Sequence, residues 1–276
     1  MITLALGFAA AVALAASAVL SKRLTLSMPA RQLVGPLLLL NGVLVAPLAF
    51  LGGWVWSREA LVLHLIEAVL LLVGSIAVWD LYSHGEASAA ITAQSLSPLP
   101  ALAAVVLLLP ATFLVTDALG AAVVVAGVFF ALSGAFPGLG RHRRWFTVFL
   151  AAATGGLLTV TSRLLADLGV GVVATYLTRT LLAAGVVLLL EPPHDIPWRE
   201  LPRLLGRAAV ITTHFVLVLL AVRTGSPAVV QTMVGTSPLL TLAYERARER
   251  RPVSIRVVGG TLAVWIGVGL IAAGSR

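Results

Sequence analysis

The sequence predicts an all-α membrane protein in which ten transmembrane helices form two inverted five-helix repeats around a central cavity. Three observations carry that prediction. The 276-residue chain is 59% hydrophobic and only 11% charged, with a mean hydropathy of +1.04, far more apolar surface than a water-soluble domain hides. Its apolar segments run to the roughly 20 residues that a helix needs to cross the hydrocarbon layer. And the chain repeats itself at an offset of 140: Ser97-Pro98-Leu99 returns as Ser237-Pro238-Leu239, and Gly85, Gly120 and Gly127 return as Gly225, Gly260 and Gly267. A repeat unit with an odd number of spans enters the membrane upside down the second time. Such inverted pairs build mid-membrane sites that open alternately to either side.

The expected spans are residues 2–20, 33–51, 61–82, 87–109, 118–135, 146–166, 170–190, 207–223, 225–244 and 257–273. The first resembles a signal peptide in length but lacks a basic start, and Lys22-Arg23 follow it directly, so it reads as a span. Arg23-Leu24 and Arg163-Leu164 place the ends of spans one and six in register. The domain division is therefore 1–135 for the first repeat, 136–145 for a linker and 146–276 for the second. Trp54, Trp56, Trp145 and Trp198 fall near span ends, the level at which indoles settle. Two connections are longer: 191–206, with Pro192-Pro193 and Pro197-Trp198, expected as a short amphipathic stretch on the interface, and the arginine-rich Glu245–Arg256.

Charge placement sets an expected orientation. Of the 19 basic residues, only Arg58, Arg163, Arg179, Arg223 and Arg276 fall on the face that holds the termini. The positive-inside rule then puts both termini outside the cytoplasm. The net charge of +8 is explained by these loops and by anionic lipid headgroups; no nucleic-acid-binding pattern accompanies it. Cysteine is absent, which excludes disulfides and thiol chemistry.

The small-residue approach to a mid-helix proline, Ser88 to Pro98 and Ala228 to Pro238, is followed by an apolar run, a polar turn and a Gly-x6-Gly-Val helix, Gly120 to Val128 and Gly260 to Val268. In these features the chain resembles the drug/metabolite transporter superfamily in its ten-helix form with two EamA-like domains. The family often places an acid followed by a base in the polar turn. Glu249-Arg250 fits this in the second copy, whereas Leu109-Pro110-Ala111-Thr112 departs from it in the first. The resemblance implies transport of amino acids, other metabolites, nucleotide sugars or drugs, with no cofactor.

Pro98 and Pro238, near the middle of spans four and nine, each remove a backbone donor and kink the helix. The freed carbonyls either find neighbours or face a wet cavity. Polar residues gather before them: Thr92, Gln94, Ser95 and Ser97 in one copy, and Gln231, Thr232, Thr236 and Ser237 in the other. Gln94, Ser97, Gln231 and Ser237 are candidate substrate contacts, with interhelical hydrogen bonding as the competing reading. Ionisable groups within spans are the sharper signal, because lipid makes them costly. Asp80, beside Trp79 and Tyr82, and His214, in the symmetry-related span eight, are candidates for binding a polar solute or relaying a proton; the competing readings are an interfacial Asp80 and a neutral, hydrogen-bonded His214. Trp79 joins the candidate site as Asp80's neighbour. His64 and Glu67, one turn apart, are expected to pair near the interface. Tyr176 and Arg179 are expected in packing or gating, and Asn41 in a helix–helix contact.

Enzymatic readings fail on motifs: there is no His-Glu-x-x-His, no aspartate-rich pair, no Gly-x-Ser-x-Gly elbow and no Walker loop. The expected function is thus secondary transport of a small polar or amphipathic organic solute by alternating access, export favoured by family analogy. A proton is the candidate coupling ion, no cofactor or metal is implied, lipids are the other partners, and the assembly is a monomer or homodimer, expected in a bacterial plasma membrane. The alternatives are a lipid or lipid-linked-sugar flippase and a non-transporting membrane partner protein. Spans 1, 3, 4, 6, 8 and 9 are expected to line the site.

Overall fold

The computed structural model describes residues 2–85, 87–108, 115–132, 141–193, 196–249 and 255–274. Among these, all regular structure is helical: α1 (Ile2–Ser27), α2 (Ala30–Val45), α3 (Arg58–His84), α4 (Ala87–Gln94), α5 (Pro98–Leu108), α6 (Val115–Leu132), α7 (Arg141–Asp167), α8 (Val172–Leu190), α9 (Leu201–Thr224), α10 (Pro227–Val234), α11 (Ser237–Glu249) and α12 (Ile255–Gly274), with 3-10 turns at Ala46–Leu51 and Trp198–Glu200. The first polar turn, 109–112, and residues 250–254 of the arginine-rich connection lie outside the described residues.

Among the described residues, seven segments are long and apolar enough to cross a membrane: Ile2–Ser27, Ala30–Leu51, Arg58–His84, Ala87–Leu107, Trp145–Asp167, Val172–Leu190 and Trp198–Thr224. Ala122–Ala131 and Ile255–Gly267 are shorter apolar helices. The chain is an integral, multi-pass membrane protein. Its polarity is inverted accordingly. On α3, Leu61, Leu65 and Val69 face outward, while His64, Glu67 and Ala68 are buried. Residues four apart share one helix face, so this helix turns its aliphatic stripe to lipid and its polar stripe to the bundle.

Local chemistry sets the helix ends. The Ser57 hydroxyl accepts from the Ala60 amide at 3.1 Å and caps α3, with Glu59 in the first turn, where a carboxylate suits the helix dipole. α7 ends at Gly169, whose φ of +84° lets the Val170 amide reach back to the Leu165 carbonyl at 3.0 Å, a closing turn that glycine adopts without a Cβ penalty.

The two Ser-Pro sites produce breaks, a larger departure than the kinks expected from sequence. Pro98 opens α5 and cannot donate to the Gln94 carbonyl. That oxygen instead accepts from the Ser97 amide at 2.9 Å and the Ser97 hydroxyl at 2.6 Å, so the broken turn carries its own replacement donors. The second copy breaks at Gly235-Thr236, where the Thr236 hydroxyl donates to the Met233 carbonyl at 2.7 Å. The expected amphipathic stretch at 191–206 is also corrected: α9 starts at Leu201, with Pro202 at the helix start where its missing N–H costs nothing, leaving only the one-turn Trp198–Glu200 before it.

The packing partners are α6 with α12, α2 with α8, α1 with α9, α3 with α7, α4 with α11 and α5 with α10. Glycine sets the closest of these. A Cβ on Gly127 would stand 2.7 Å from the Gly260 carbonyl oxygen, and one on Gly267 2.5 Å from that of Gly120. The repeated Gly-x6-Gly spacing thus forms a seam in which two backbones meet, the small-residue packing that membrane helices favour.

Candidate functional site

A cavity of about 130 Å³ lies between α1, α2, α3, the α4–α5 break, α7, α8, α9 and α10. It greatly exceeds the ~10–15 Å³ that one water requires. Its wall is mostly apolar, with Leu14, Leu37, Leu71, Leu158, Ile211 and Val218 among the lining residues. Polar groups are distributed among them: Ser17, Asn41, Ser75, Gln94, Ser97, Thr154, Thr159, Ser162, Arg179, Arg207, His214 and Gln231.

Glycines bring the broken helix to this wall. A Cβ on Gly156 would overlap the Ser97 carbonyl and lie 2.9 Å from the Ala101 amide, and one on Gly155 would lie 2.9 Å from the Ser97 hydroxyl. The α4–α5 break therefore rests directly on the α7 backbone. Gln94 consequently reaches the cavity, and its buried amide nitrogen makes no hydrogen bond of ordinary geometry. Gln231 sits across α7, donating to the Gly155 carbonyl at 3.2 Å and to the Thr159 hydroxyl. His214 is 5% exposed and its Nδ1 lies 2.9 Å from the Ala10 carbonyl. A carbonyl only accepts, so Nδ1 carries a proton, and Nε2 is an acceptor when the ring is neutral.

Of the residues singled out from sequence, Trp79, Gln94, Ser97, His214 and Gln231 lie on one cavity. Three kinds of placement differ. Asp80 turns away: its carboxylate pairs with Arg143 at 2.8 Å and lies 3.6 Å from His84. It sits one helix position past Trp79, and one position is a rotation of about 100°. Ser237 and the two prolines are buried at the starts of α5 and α11 but do not line the cavity; Ser237 serves as backbone acceptor for the Thr241 hydroxyl at 3.0 Å. The wall also recruits α2 and α8, beyond the six spans expected, and Asn41 is on it instead of in a purely interhelical contact.

Glu67 corrects the expected interfacial pair with His64. Its side chain is fully buried, 3.6 Å from the Arg179 guanidinium, and accepts from the Ser162 hydroxyl and from Thr161 at 3.4 Å. Arg179 also donates to Ser162 at 3.1 Å and lies 5.5 Å from the Tyr176 ring and 5.2 Å from that of Phe215. Two opposite charges in hydrocarbon are tolerable only when paired and hydrogen-bonded; this cluster pairs them, while Glu67 Oε2 and Arg179 Nε make no hydrogen bond. Arg207, counted from sequence among the loop arginines, points inward instead. It is 8% exposed, donates from Nε to the Ser21 hydroxyl at 3.1 Å and lies 5.0 Å over the Trp79 ring. The missed signal is periodic: 207, 211, 214 and 218 share one helix face, the face His214 already marked.

Residues 144–273 match the EamA-like transporter family. The matched stretch runs from α7 to α12 and bears a likeness to the drug/metabolite transporter superfamily, whose EamA members are membrane transporters and generally not enzymes. It supplies the half of the cavity wall that bears Ser162, Arg179, Arg207, His214 and Gln231. A solved crystal structure superposes on nearly the whole protein with a TM-score of 0.75 at 15% identity, covering 99% of this chain and 97% of its own, which fixes the fold as one already seen. No curated protein matches the sequence.

Proposed function

We propose that the protein is a secondary transporter that moves a small polar or amphipathic organic solute by alternating access, with the central cavity as its binding site. The observation that carries this reading is the cavity itself: a part-polar space between the helices of a bundle whose outer surface is aliphatic. The packing pattern supports two inverted five-helix repeats, 1–135 and 146–276. Exchanging each helix with its counterpart 140 residues away turns α1 against α9 into α7 against α3, turns α4 against α11 into α10 against α5, and leaves α2–α8 and α6–α12 unchanged. Any two-fold relation between the halves demands that exchange, and an odd number of crossings in each half makes the relation an inverted one. Ten crossings follow when α4–α5 and α10–α11 are each counted as one broken span, with their breaks at the cavity.

Export and an outside location of both termini are retained from family analogy and charge placement. Proton coupling falls to His214, since Asp80 is engaged by Arg143 away from the cavity. The test is a thermal-shift screen of the purified protein against small metabolites, followed by flux of any stabilising solute in reconstituted vesicles. A solute that both stabilises the protein and crosses the vesicle membrane is expected. Stabilising solutes that never cross would favour a non-transporting protein, and movement of lipid alone would favour a flippase.

A further inference from the structure

Two guanidinium groups line the cavity, and they are not equivalent. Arg179 has the Glu67 carboxylate at 3.6 Å. Arg207 makes no ion pair among the described residues; its hydrogen bond there runs from Nε to the Ser21 hydroxyl, and its guanidinium lines the cavity. Gln94 lines the same cavity, and its buried amide nitrogen makes no hydrogen bond of ordinary geometry. A guanidinium stays charged at any physiological pH. The Trp79 face beneath it supplies attraction but no hydrogen-bond acceptor. A buried charge held in this way is costly unless something compensates it. Arg207 and Gln94 line a cavity whose wall is otherwise largely leucine, isoleucine and valine, with hydroxyl and amide side chains distributed among them.

From the guanidinium of Arg207, which lines this cavity without an ion-pair partner among the described residues, we infer that the transported solute is a small organic anion. Its carboxylate, or a comparable oxyanion, docks between Arg207, Gln94 and Trp79, and its apolar body lies along Leu37, Leu71, Leu158 and Ile211. The inference rests on the transport reading and specifies the substrate class of the same site. A planar carboxylate accepts two parallel N–H groups of a guanidinium, and the electrostatic demand of Arg207 selects it over neutral and cationic analogues of the same shape.

The test uses the full-length protein in neutral detergent and three probes that share one body: 3-phenylpropionate, 3-phenylpropionamide and 3-phenylpropylamine. Thermal unfolding is followed against probe concentration. The acid is expected to stabilise at a concentration at least tenfold below the amide, with the amine ineffective. Arg207→Gln should erase that preference and Arg207→Lys should keep it. Equal or better stabilisation by the amide or the amine, no stabilisation by the acid, or a folded Arg207→Gln protein with its preference intact would each overturn the inference. If Arg207→Gln does not fold, the wild-type ranking decides alone. Phosphatidylglycerol is the fourth arm: stabilisation by this lipid and not by the acid would assign the donors to a headgroup and overturn the soluble-anion assignment. Flux confined to neutral or cationic solutes would defeat this inference while leaving transport standing. Binding of the acid without flux of any solute would do the reverse.

Discussion

The Arg179 guanidinium stands 3.6 Å from the Glu67 carboxylate, with both side chains essentially inaccessible, inside a bundle whose outer face is aliphatic. α3 and α8 are thus joined by an ion pair at a depth where neither charge is tolerated alone. Removing one partner leaves the other uncompensated, at a cost of about 3–5 kcal/mol, whereas replacing both by apolar groups of similar volume comes near to neutral. Glu67→Met should therefore lower the unfolding midpoint in detergent sharply, and Glu67→Met with Arg179→Met should recover most of the loss. Additive losses would show that the pair is not coupled.

The α4–α5 break depends on Gly156. An alanine Cβ there meets the Ser97 carbonyl and the Ala101 amide, both backbone, so neither neighbour moves cheaply. Gly156→Ala is expected to cost about 1–3 kcal/mol, as overpacking does. Gly185→Ala on α8, where a Cβ would meet nothing within 4 Å, is the matched control and should be neutral or slightly stabilising. Equal thermal stability of the two variants would contradict the close approach of α7 to the break.

His214 and Asp80 separate a coupling role from a surface role. Asp80 pairs with Arg143, whose side chain is 62% exposed, and exposed pairs contribute about 0–1 kcal/mol. Asp80→Asn should leave stability and the pH-gradient response of flux nearly unchanged. His214→Gln should abolish that response. Flux that answers a pH gradient equally in both variants would remove the proton from the mechanism.

Much of this was legible in the sequence, for physical reasons. Lipid as solvent forces long apolar helices, so hydropathy located the helices; the 140-residue offset located both Ser-Pro breaks and the Gly-x6-Gly seam, because close backbone contact demands glycine in each copy. Trp79, Gln94, His214 and Gln231 were recognisable as polar groups in apolar surroundings. Hydropathy does not say which way a side chain near a span end turns. Asp80 and Arg207 occupy similar depths near one end of α3 and α9, yet Asp80 faces the surface arginine and Arg207 the cavity. Glu67 was misjudged for the same reason: its partner Arg179 lies 112 positions away in sequence, and only the packing of α3 on α8 brings them together.

The chain contains no cysteine, so single thiols report accessibility without background. Ser17 on α1 and Ser75 on α3 both line the cavity. Ser17→Cys and Ser75→Cys proteins in sealed vesicles of known orientation should react with a membrane-impermeant maleimide added to either face, in separate experiments, because the cavity opens to each side in turn. Labelling from one face only, in every ionic and solute condition, or from neither, would contradict alternating access at this site.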